Sequence, residues 1–273
     1  MTQATSKPSS PMQVPATWDA VAAGYAEQTA HHTEYAEEAL RVAPIGASDR
    51  VLDVGAGPGT FALVAAARAA HVTAIDFSPA MIEQLKARSA RAGVTNVEAM
   101  VMDAQSLTLP DGAFDAAFSL FAFMFVPDRA RAFRELHRVL RPGGRAVVLT
   151  WGPIDRRPLM KIGFDALAEA MPDMPPPQKG DLQQTDECIR ELTAAGFRDV
   201  ESHAFTAAMH FDSPEDYLTM MLRTSAPVPM LQKRLGESEW NAVVARMRQA
   251  VRRCIPESGV DLPAEAMVTS GTR

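Results

Sequence analysis

Three glycines alternate with other residues in a short segment that could hold a ligand close to the main chain. The segment is DVGAGPGT, at residues 53–60. Because glycine has no Cβ, it adopts backbone angles that other residues avoid and lets a ligand approach closely. A helix that follows the loop would turn free N–H groups and its positive end toward that ligand. The pattern is typical of a site for a nucleotide-like ligand, with a tight structural turn as the alternative.

Three aspartates stand at the ends of apolar stretches that read as strands. Asp53 opens the glycine loop, Asp76 comes 23 positions later, and Asp103 ends the third stretch. A carboxylate at the end of the second strand can accept hydrogen bonds from ribose hydroxyls. Asp103 would lie near an adenine amino group. These positions favour a site for a nucleotide-like ligand over a tight structural turn.

The glycine spacing separates two kinds of cofactor. The dinucleotide pattern Gly-x-Gly-x-x-Gly would place its third glycine at position 60, where this chain has Thr60, and the glycine stands instead at Gly59. Asp53 would also be a poor neighbour for a pyrophosphate and a good one for a cationic amino group. An NAD-dependent oxidoreductase is therefore kept only as an alternative.

Residues 50–151 contain the elements that would position these side chains. Short apolar runs alternate with helix-like segments, which is the pattern of βαβ units and a parallel sheet. The predicted strands are 50–54, 71–76, 97–102, 114–120 and 145–151, and the predicted helices are 60–70, 79–92 and 127–140. A doubly wound sheet places its ligand at the carboxyl ends of the strands.

The rest of the chain adds two predicted strands, 197–207 and 264–269, and several helices. We therefore expect an α/β fold with a doubly wound, seven-stranded, mostly parallel sheet and a helical cap. The predicted parts are a flexible N-terminal arm (1–16), an N-terminal helical lid (17–48), an α/β core (49–208), a helical substrate-cap insertion (209–258) and a C-terminal strand that completes the core (259–273).

Four ordered motifs resemble one family. They are VLDVGAGPGT, VTAIDFSPAMI, VMDAQSLTLPDGAFDAAFSL and RVLRPGGRAVVLTW, and together they run through residues 50–151. The chain resembles the class I S-adenosylmethionine (SAM)-dependent methyltransferases, in particular the ubiquinone/menaquinone-biosynthesis (methyltransferase type 11) group. The resemblance implies a Rossmann-like methyltransferase fold, with SAM as cofactor and S-adenosylhomocysteine as product.

The resemblance also implies roles for residues of the motifs. Asp53, Gly55 and Gly57, in a loop that includes Ala56 and Gly59, would hold the methionine part of SAM, and Asp76 would bind the ribose. The residues expected around the adenine and the sulfonium are Phe77, Met81, Asp103, Ala104 and Leu120. For Phe77 and Met81, plain core packing is an equally good reading.

Candidates for catalysis lie outside the motifs. A mixed aromatic and polar stripe recurs at spacings of three and four residues, as on one face of a helix: Trp18, Val21, Tyr25, Gln28, His32 and Tyr35. Gly24 would interrupt that helix. Tyr25 could approach the cofactor, or the rings could be buried against the sheet. His210, at the junction of a strand and the insertion, is the candidate base.

The amino-acid composition indicates the chemical class of the methyl acceptor. Nine of the 15 methionines follow residue 151, together with several aromatic residues. Methionine fills irregular apolar space and adapts to ligands, so we expect a small hydrophobic or aromatic acceptor with an O, N or C acceptor atom. Methyl transfer requires alignment and exclusion of water more than a catalytic dyad. A SAM-binding protein that regulates or catalyses a rearrangement without methylating is the alternative.

Net charge and hydropathy exclude some classes of binding partner. The formal net charge of −6 argues against a nucleic-acid surface, and no apolar run is long enough to span a membrane. The two cysteines show no metal-ligand spacing, so we expect no metal and a reducing, cytoplasmic location. Monomer and homodimer are both left open.

Overall fold

A seven-stranded sheet forms the centre of the molecule. The computed structural model describes residues 10–27, 32–173, 182 and 185–273, so residues 1–9 of the predicted arm and Gln28 of the predicted stripe lie outside the described residues. The strands are β1 (Arg50–Val54), β2 (His71–Asp76), β3 (Val97–Val101), β4 (Phe114–Leu120), β5 (Leu140–Trp151), β6 (Arg198–Phe211) and β7 (Val260–Thr272). Their order in the sheet is β3-β2-β1-β4-β5-β7-β6. The fold is therefore the expected α/β fold.

The strand order creates one place for a ligand. Strands β1 to β5 run parallel, and β7 is antiparallel to both β5 and β6. The order reverses between β1 and β4, where Asp53 is in register with Phe118. Connections leave to opposite faces of the sheet at such a reversal, and the crevice they open lies at the carboxyl ends of the strands.

Helices cover both faces of the sheet. They are α1 (Pro15–Asp19), α2 (Ala22–Glu27), α3 (Thr33–Val42), α4 (Thr60–Ala66), α5 (Pro79–Arg91), α6 (Arg129–Val139), α7 (Pro158–Ala170), α8 (Thr185–Ala194), α9 (Pro214–Thr224), α10 (Val228–Leu235) and α11 (Glu237–Cys254). Local sequence determines where several of these helices begin. The Ser78 side chain accepts from Met81 N at the start of α5, with Pro79 in the first turn, and Asp128 accepts from Arg131 N at the start of α6.

The core has two main layers, one on each face of the sheet. Val51 and Phe118 pack with α3 and α4 on one face. Leu52 and Val54 pack with α6 and α8 on the other. Successive strand residues point to opposite faces, so Asp53 lies on the face opposite to its two apolar neighbours on β1. The alternation places the Asp53 carboxyl group on the same face of β1 as Val51, and Asp53 is as deeply buried as its apolar neighbours.

A third apolar cluster joins the helices between β6 and β7 to α7, which lies between β5 and β6. Helices α9 and α11 pack together with α7 around fully buried side chains such as Tyr217 and Val251. The Tyr217 hydroxyl donates a hydrogen bond to Leu159 O at 2.7 Å, which ties α9 to the first turn of α7. The helical segment thus has an apolar core of its own beside the sheet.

Three local predictions need correction. Strand β6 continues to Phe211 and β7 starts at Val260, because these two strands pair antiparallel far beyond the lengths their apolar residues indicate. The N-terminal stripe does not lie on one helix: Trp18 is in α1, Tyr25 in α2 and Tyr35 in α3. Val21 lies between α1 and α2, and His32 directly precedes α3. Gly24 does not interrupt a helix; it lies inside α2, where a Cβ would come within 2.4 Å of Arg223 O.

Helix α10 has no counterpart in the sequence-based prediction, because Pro227 and Pro229 stand at its start, where proline is tolerated in the first turn. In the described part of the chain, no helix is both long enough and apolar enough to cross a membrane.

Candidate functional site

A cavity of about 630 Å³ opens at the carboxyl ends of the central strands. We call it the outer cavity. It brings together ten of the predicted cofactor residues: Asp53, Gly55, Ala56, Gly57, Asp76, Phe77, Met81, Asp103, Ala104 and Leu120. They come from four separate strand ends, so only the sheet unites them. Gly59 is not part of the lining.

The glycine loop is held by the neighbouring strand. The amides of Gly55 and Ala56 both donate to Ile75 O, at 2.8 and 2.9 Å. The Gly57 amide donates to Asp76 Oδ2 at 2.8 Å. Gly57 has a φ of 53°, and a Cβ placed on it would meet no atom within 4 Å. This residue therefore leaves open space at the cavity wall.

The other two glycines serve packing. A Cβ on Gly55, where φ is 72°, would lie 2.1 Å from Ala122 Cβ. A Cβ on Gly59 would lie 2.6 Å from Leu85 Cγ. Gly59 thus lets α4 start close against α5, and the structure gives it a packing role rather than a place in the cavity lining.

Asp53 is a buried carboxyl group without full hydrogen bonding. It is 1% exposed, and within the described part of the chain its Oδ2 has no hydrogen-bond partner. Burial, and then the nearby Asp76 carboxylate, raise the pKa of Asp53 to about 8. A buried oxygen of this kind is costly unless a partner arrives. A ligand ammonium group could supply that partner.

Asp76 is already bound by the protein. Its Oδ1 accepts from Ser78 N at 2.9 Å while Oδ2 accepts from Gly57 N. Burial raises the pKa of Asp76 to about 6, although these two hydrogen bonds oppose the rise. Asp103 differs: it is exposed, and its Oδ1 accepts from Gln105 N at 2.9 Å. The cavity therefore has two buried carboxyl groups at one end and an exposed one at its rim.

Aromatic rings form another part of the cavity wall. Trp18, Tyr25, His32, Phe121 and Phe125 all line the outer cavity. The rings of Trp18 and Phe125 have their centroids 5.1 Å apart. Phe121 has a φ of 61°, a strained angle for a bulky residue, and its ring stacks on Trp151 at 3.8 Å. Such outliers concentrate at functional sites.

A smaller, inner cavity of about 120 Å³ adjoins this wall. It shares Tyr25 and His32 with the outer cavity. Its other lining residues come from the end of β5, from α7 and from the end of α9 and the residue that follows: Trp151, Leu159, Met160, Phe164, Met220, Met221, Thr224 and Ser225. Two rings thus stand where an acidic cavity meets an apolar one.

The structure places one of the two catalytic candidates in the cavities and the other outside them. Tyr25 lies at the junction of the cavities, and burial, then Asp76, raise the pKa of Tyr25 to about 12, so it is a neutral phenol at neutral pH. His210 lines neither cavity. It is exposed on the edge strand β6, where its Nδ1 lies 2.8 Å from Asp261 Oδ1, and this contact raises the pKa of His210. The structure removes His210 from the candidate site.

Several residues of the site were not predicted. Phe121 and Phe125 belong to the apolar run FAFMFV, whose position right after a strand end was the available signal. His32 was placed on a helix face but given no role. Trp151 and the residues of α7 and α9 had no local signal beyond their apolar character.

A family match and one relative that is similar over most of its length show the family of this chain. The family described as "Methyltransferase domain" matches residues 52–148. A demethylmenaquinone methyltransferase of Clavibacter sepedonicus is 35% identical over 184 residues, which cover 62% of this chain and 73% of that protein. The chain belongs to the class I SAM-dependent methyltransferases.

Two further similarities are more limited. An uncharacterised protein of Mycobacterium tuberculosis is 41% identical, but the matched region covers 41% of this methyltransferase and only 40% of that relative. The YcgJ protein of Bacillus subtilis has a TM-score of 0.59 at 19% identity, over 89% of this chain and 98% of its own. The latter is a likeness of fold.

SAM is the cofactor of this methyltransferase. The residues present fit it, because Asp53 Oδ2 is a buried acceptor without a partner and the open space beside Gly57 admits a ligand at the main chain. Within residues 10–27, 32–173, 182 and 185–273, no group of three or more His, Cys, Asp or Glu side chains is placed to hold a metal ion.

Proposed function

We propose that this methyltransferase transfers the methyl group of SAM to a small hydrophobic or aromatic metabolite held in the inner cavity. One observation carries the proposal: an acidic outer cavity and an apolar inner cavity meet at Tyr25 and His32. A cationic donor on one side and an apolar acceptor on the other would meet at that junction.

The proposed donor site uses residues of the outer cavity. Asp53 Oδ2 would accept from the amino group of SAM, and the loop at Gly57 would lie against its methionine part. Asp76 would bind the ribose while it continues to hold the loop, and Phe77 and Met81 would flank the adenine. The exposed Asp103 with Ala104 would meet the adenine edge, and Leu120 would face the sulfonium.

Alignment and exclusion of water are the main tasks of the chain. When bound, SAM supplies a methyl group on a sulfonium, ready for in-line displacement. Tyr25 and His32 line both cavities, and the stacked rings of Phe121 and Trp151 both lie next to the His32 ring. Holding two reactants in line removes most of the entropic barrier to their reaction.

The relatives suggest which acceptors to try first. The Clavibacter relative is named as a demethylmenaquinone methyltransferase. Its name points to a fused aromatic ring, and the rings and methionines around the inner cavity favour a flat apolar acceptor of this kind. A reduced naphthoquinone that lacks the ring methyl group is therefore the first acceptor to test.

A transfer assay tests the proposal. The protein is incubated with SAM carrying a labelled methyl group and a panel of reduced quinones, phenols and aromatic amines, and the label is followed into the organic phase. Transfer to a ring compound is the expected result. Binding of SAM with no transfer to any member would favour the alternative, a SAM-binding protein that does not methylate. Absence of SAM binding would overturn the donor site as well.

Tyr25→Phe tests the junction. A neutral tyrosine hydroxyl can orient an acceptor but cannot act as a base at neutral pH, so its loss should lower kcat/KM about 5- to 10-fold, the value of one hydrogen bond. The affinity for S-adenosylhomocysteine, measured by calorimetry, should stay within about twofold. A much larger loss in affinity than in kcat/KM would place Tyr25 in the donor site instead.

A further inference from the structure

Arg157 is a buried cation that has no anionic partner among the described residues. It directly precedes α7 and is 4% exposed. Its Nε has no hydrogen-bond partner, and Nη1 donates only to Met160 Sδ, at 3.1 Å. The guanidinium carbon lies 6.0 Å from the centroid of the Trp151 ring. No carboxylate in the described ranges of the chain pairs with it.

Its neighbour in the chain shows the ordinary arrangement. Arg156 has a side chain that is 68% exposed, and its Nη1 lies 3.1 Å from Glu265 Oε2. Arg157, by contrast, exchanges water for an aromatic face and a thioether, which are weak partners for a guanidinium. Burial lowers the pKa of Arg157 to about 10, so it is still charged at neutral pH. A buried, uncompensated charge is strongly unfavourable, and an anionic ligand would relieve it.

The guanidinium stands behind the wall of the inner cavity. Both residues that it contacts, Trp151 and Met160, line that cavity. Met160 has an unbranched, flexible side chain, so it can rotate aside and leave Nη1 free to donate into the cavity. The first turn of α7 forms part of the same wall, and no side chain caps its N-terminus. The positive end of the helix therefore adds to the charge of Arg157.

The two cavities differ in charge. Asp53 and Asp76 make the outer cavity acidic, as a cationic donor requires. None of the residues that line the inner cavity is Asp or Glu, so nothing in its described lining neutralises Arg157. We propose that the inner cavity selects an acceptor with an anionic oxygen conjugated to an aromatic ring, and that Arg157 recognises this oxygen.

The inference rests on the proposed function, because it takes the ring in the inner cavity to be the methyl acceptor. An ionised phenol, an enolate and a carboxylate on the ring share the required chemistry. Such an acceptor enters already deprotonated or electron-rich. That agrees with a junction whose tyrosine is a neutral phenol rather than a base.

The experiment compares two ligands of nearly equal shape. Binding of 2-naphthoate and of its neutral analogue 2-naphthamide is measured by calorimetry with the full chain, in the presence of S-adenosylhomocysteine. The variants are Arg157→Met, which removes the charge, and Arg157→Lys, which keeps it. Arg156→Met is the matched control, since it removes an adjacent arginine that already has a carboxylate partner.

We expect the wild-type protein to bind 2-naphthoate at least about 10-fold more tightly than 2-naphthamide, as one charge-assisted hydrogen bond provides. Arg157→Met should abolish the preference without weakening the amide, Arg157→Lys should keep part of it, and Arg156→Met should leave it unchanged. The melting temperature of ligand-free Arg157→Met should be equal to or above that of wild type, because an unpaired buried charge is gone.

Two results would overturn the inference. One is equal affinity of wild type for the two ligands, or no binding of 2-naphthoate. The other is an unchanged preference in Arg157→Met. If S-adenosylhomocysteine still binds in either case, the donor site stands and only the anionic acceptor is refuted. If S-adenosylhomocysteine fails to bind wild type, the proposed function fails by itself.

Discussion

Replacing Asp53 by asparagine should have opposite effects on stability and on cofactor binding. In the ligand-free protein the carboxyl group is buried, Oδ2 has no partner, and the pKa is raised from 3.8 to about 8. A raised pKa in the folded state means that the stability associated with the protonated group is complete below pH 3.8. That stability is lost as the pH rises through about 8. Wild type should therefore lose stability relative to Asp53→Asn across this window.

The size of the effect follows from the same pKa. A window of about four pH units, at about 1.36 kcal/mol for each, sets an upper value on the order of 5 kcal/mol. Asp76, whose pKa is raised to about 6, ionises in the same window and interacts with Asp53. Local rearrangement and entry of water reduce the penalty. We expect Asp53→Asn to be about 2–4 kcal/mol more stable than wild type at pH 8 and nearly equal to it at pH 4.

Urea denaturation at pH 4, 6 and 8 measures the stability, and calorimetry with S-adenosylhomocysteine measures the binding. The lost charge-assisted hydrogen bond should weaken binding about 10- to 100-fold. Asp115→Asn is the contrasting variant. Partial burial opposes ionisation of Asp115, but hydrogen bonds from Arg141 Nε and Arg50 N outweigh it and lower its pKa. Its stabilising effect is therefore present at neutral pH and lost as the pH falls.

Two results together would show that Asp53 does not bind the ligand. If Asp53→Asn is less stable than wild type at pH 8 and binds S-adenosylhomocysteine as tightly, then the carboxylate is a satisfied structural group. If only the stability result fails, the ligand-free carboxyl is better solvated than its burial indicates, and the binding role stands.

Three further predictions concern two glycines of the loop and the histidine that lies outside both cavities. Gly55→Ala should lose about 3–5 kcal/mol of unfolding free energy in thermal denaturation, from a backbone strained at φ 72° and a Cβ 2.1 Å from that of Ala122. Gly57→Ala, with no atom within 4 Å of its Cβ, should lose less stability but weaken S-adenosylhomocysteine binding. His210→Gln should leave kcat/KM and cofactor affinity unchanged, since His210 pairs with Asp261 outside both cavities; a large loss of kcat/KM would contradict that placement.

Local sequence was sufficient for most of the donor side of the fold. Strands β1, β2 and β4 have the predicted bounds and α5 begins at the predicted residue, because strand–turn–helix signals such as Ser78-Pro79 act within a few residues. The loop at residues 53–60 and the Asp76 side chain lie at the carboxyl ends of these predicted strands. Once the strands are known to be parallel, their carboxyl ends must meet at one edge.

The limits of local sequence show at β6. Its residues alternate in burial along an exposed edge, and polar residues such as His203 and Thr206 interrupt the apolar pattern. The pairing with β7, which extends to Phe211, is a contact between residues about 50 positions apart. Periodicity in one strand cannot reveal how far its partner follows it. The same long-range pairing puts His210 opposite Asp261 on the edge strand, where it lines neither cavity.

The sequence by itself determined the donor: a glycine loop and carboxylates whose spacing and order are set by short-range folding. Only the tertiary structure decided the acceptor side. The inner cavity exists because α7 packs against α9, more than 40 residues later in the chain, and both close over Trp151. Whether Arg157 has a carboxylate partner likewise depends on which residues the tertiary structure packs around it. A short motif contains all of its own partners, whereas a cavity, or a charge without a counter-ion, is defined only by the complete packing.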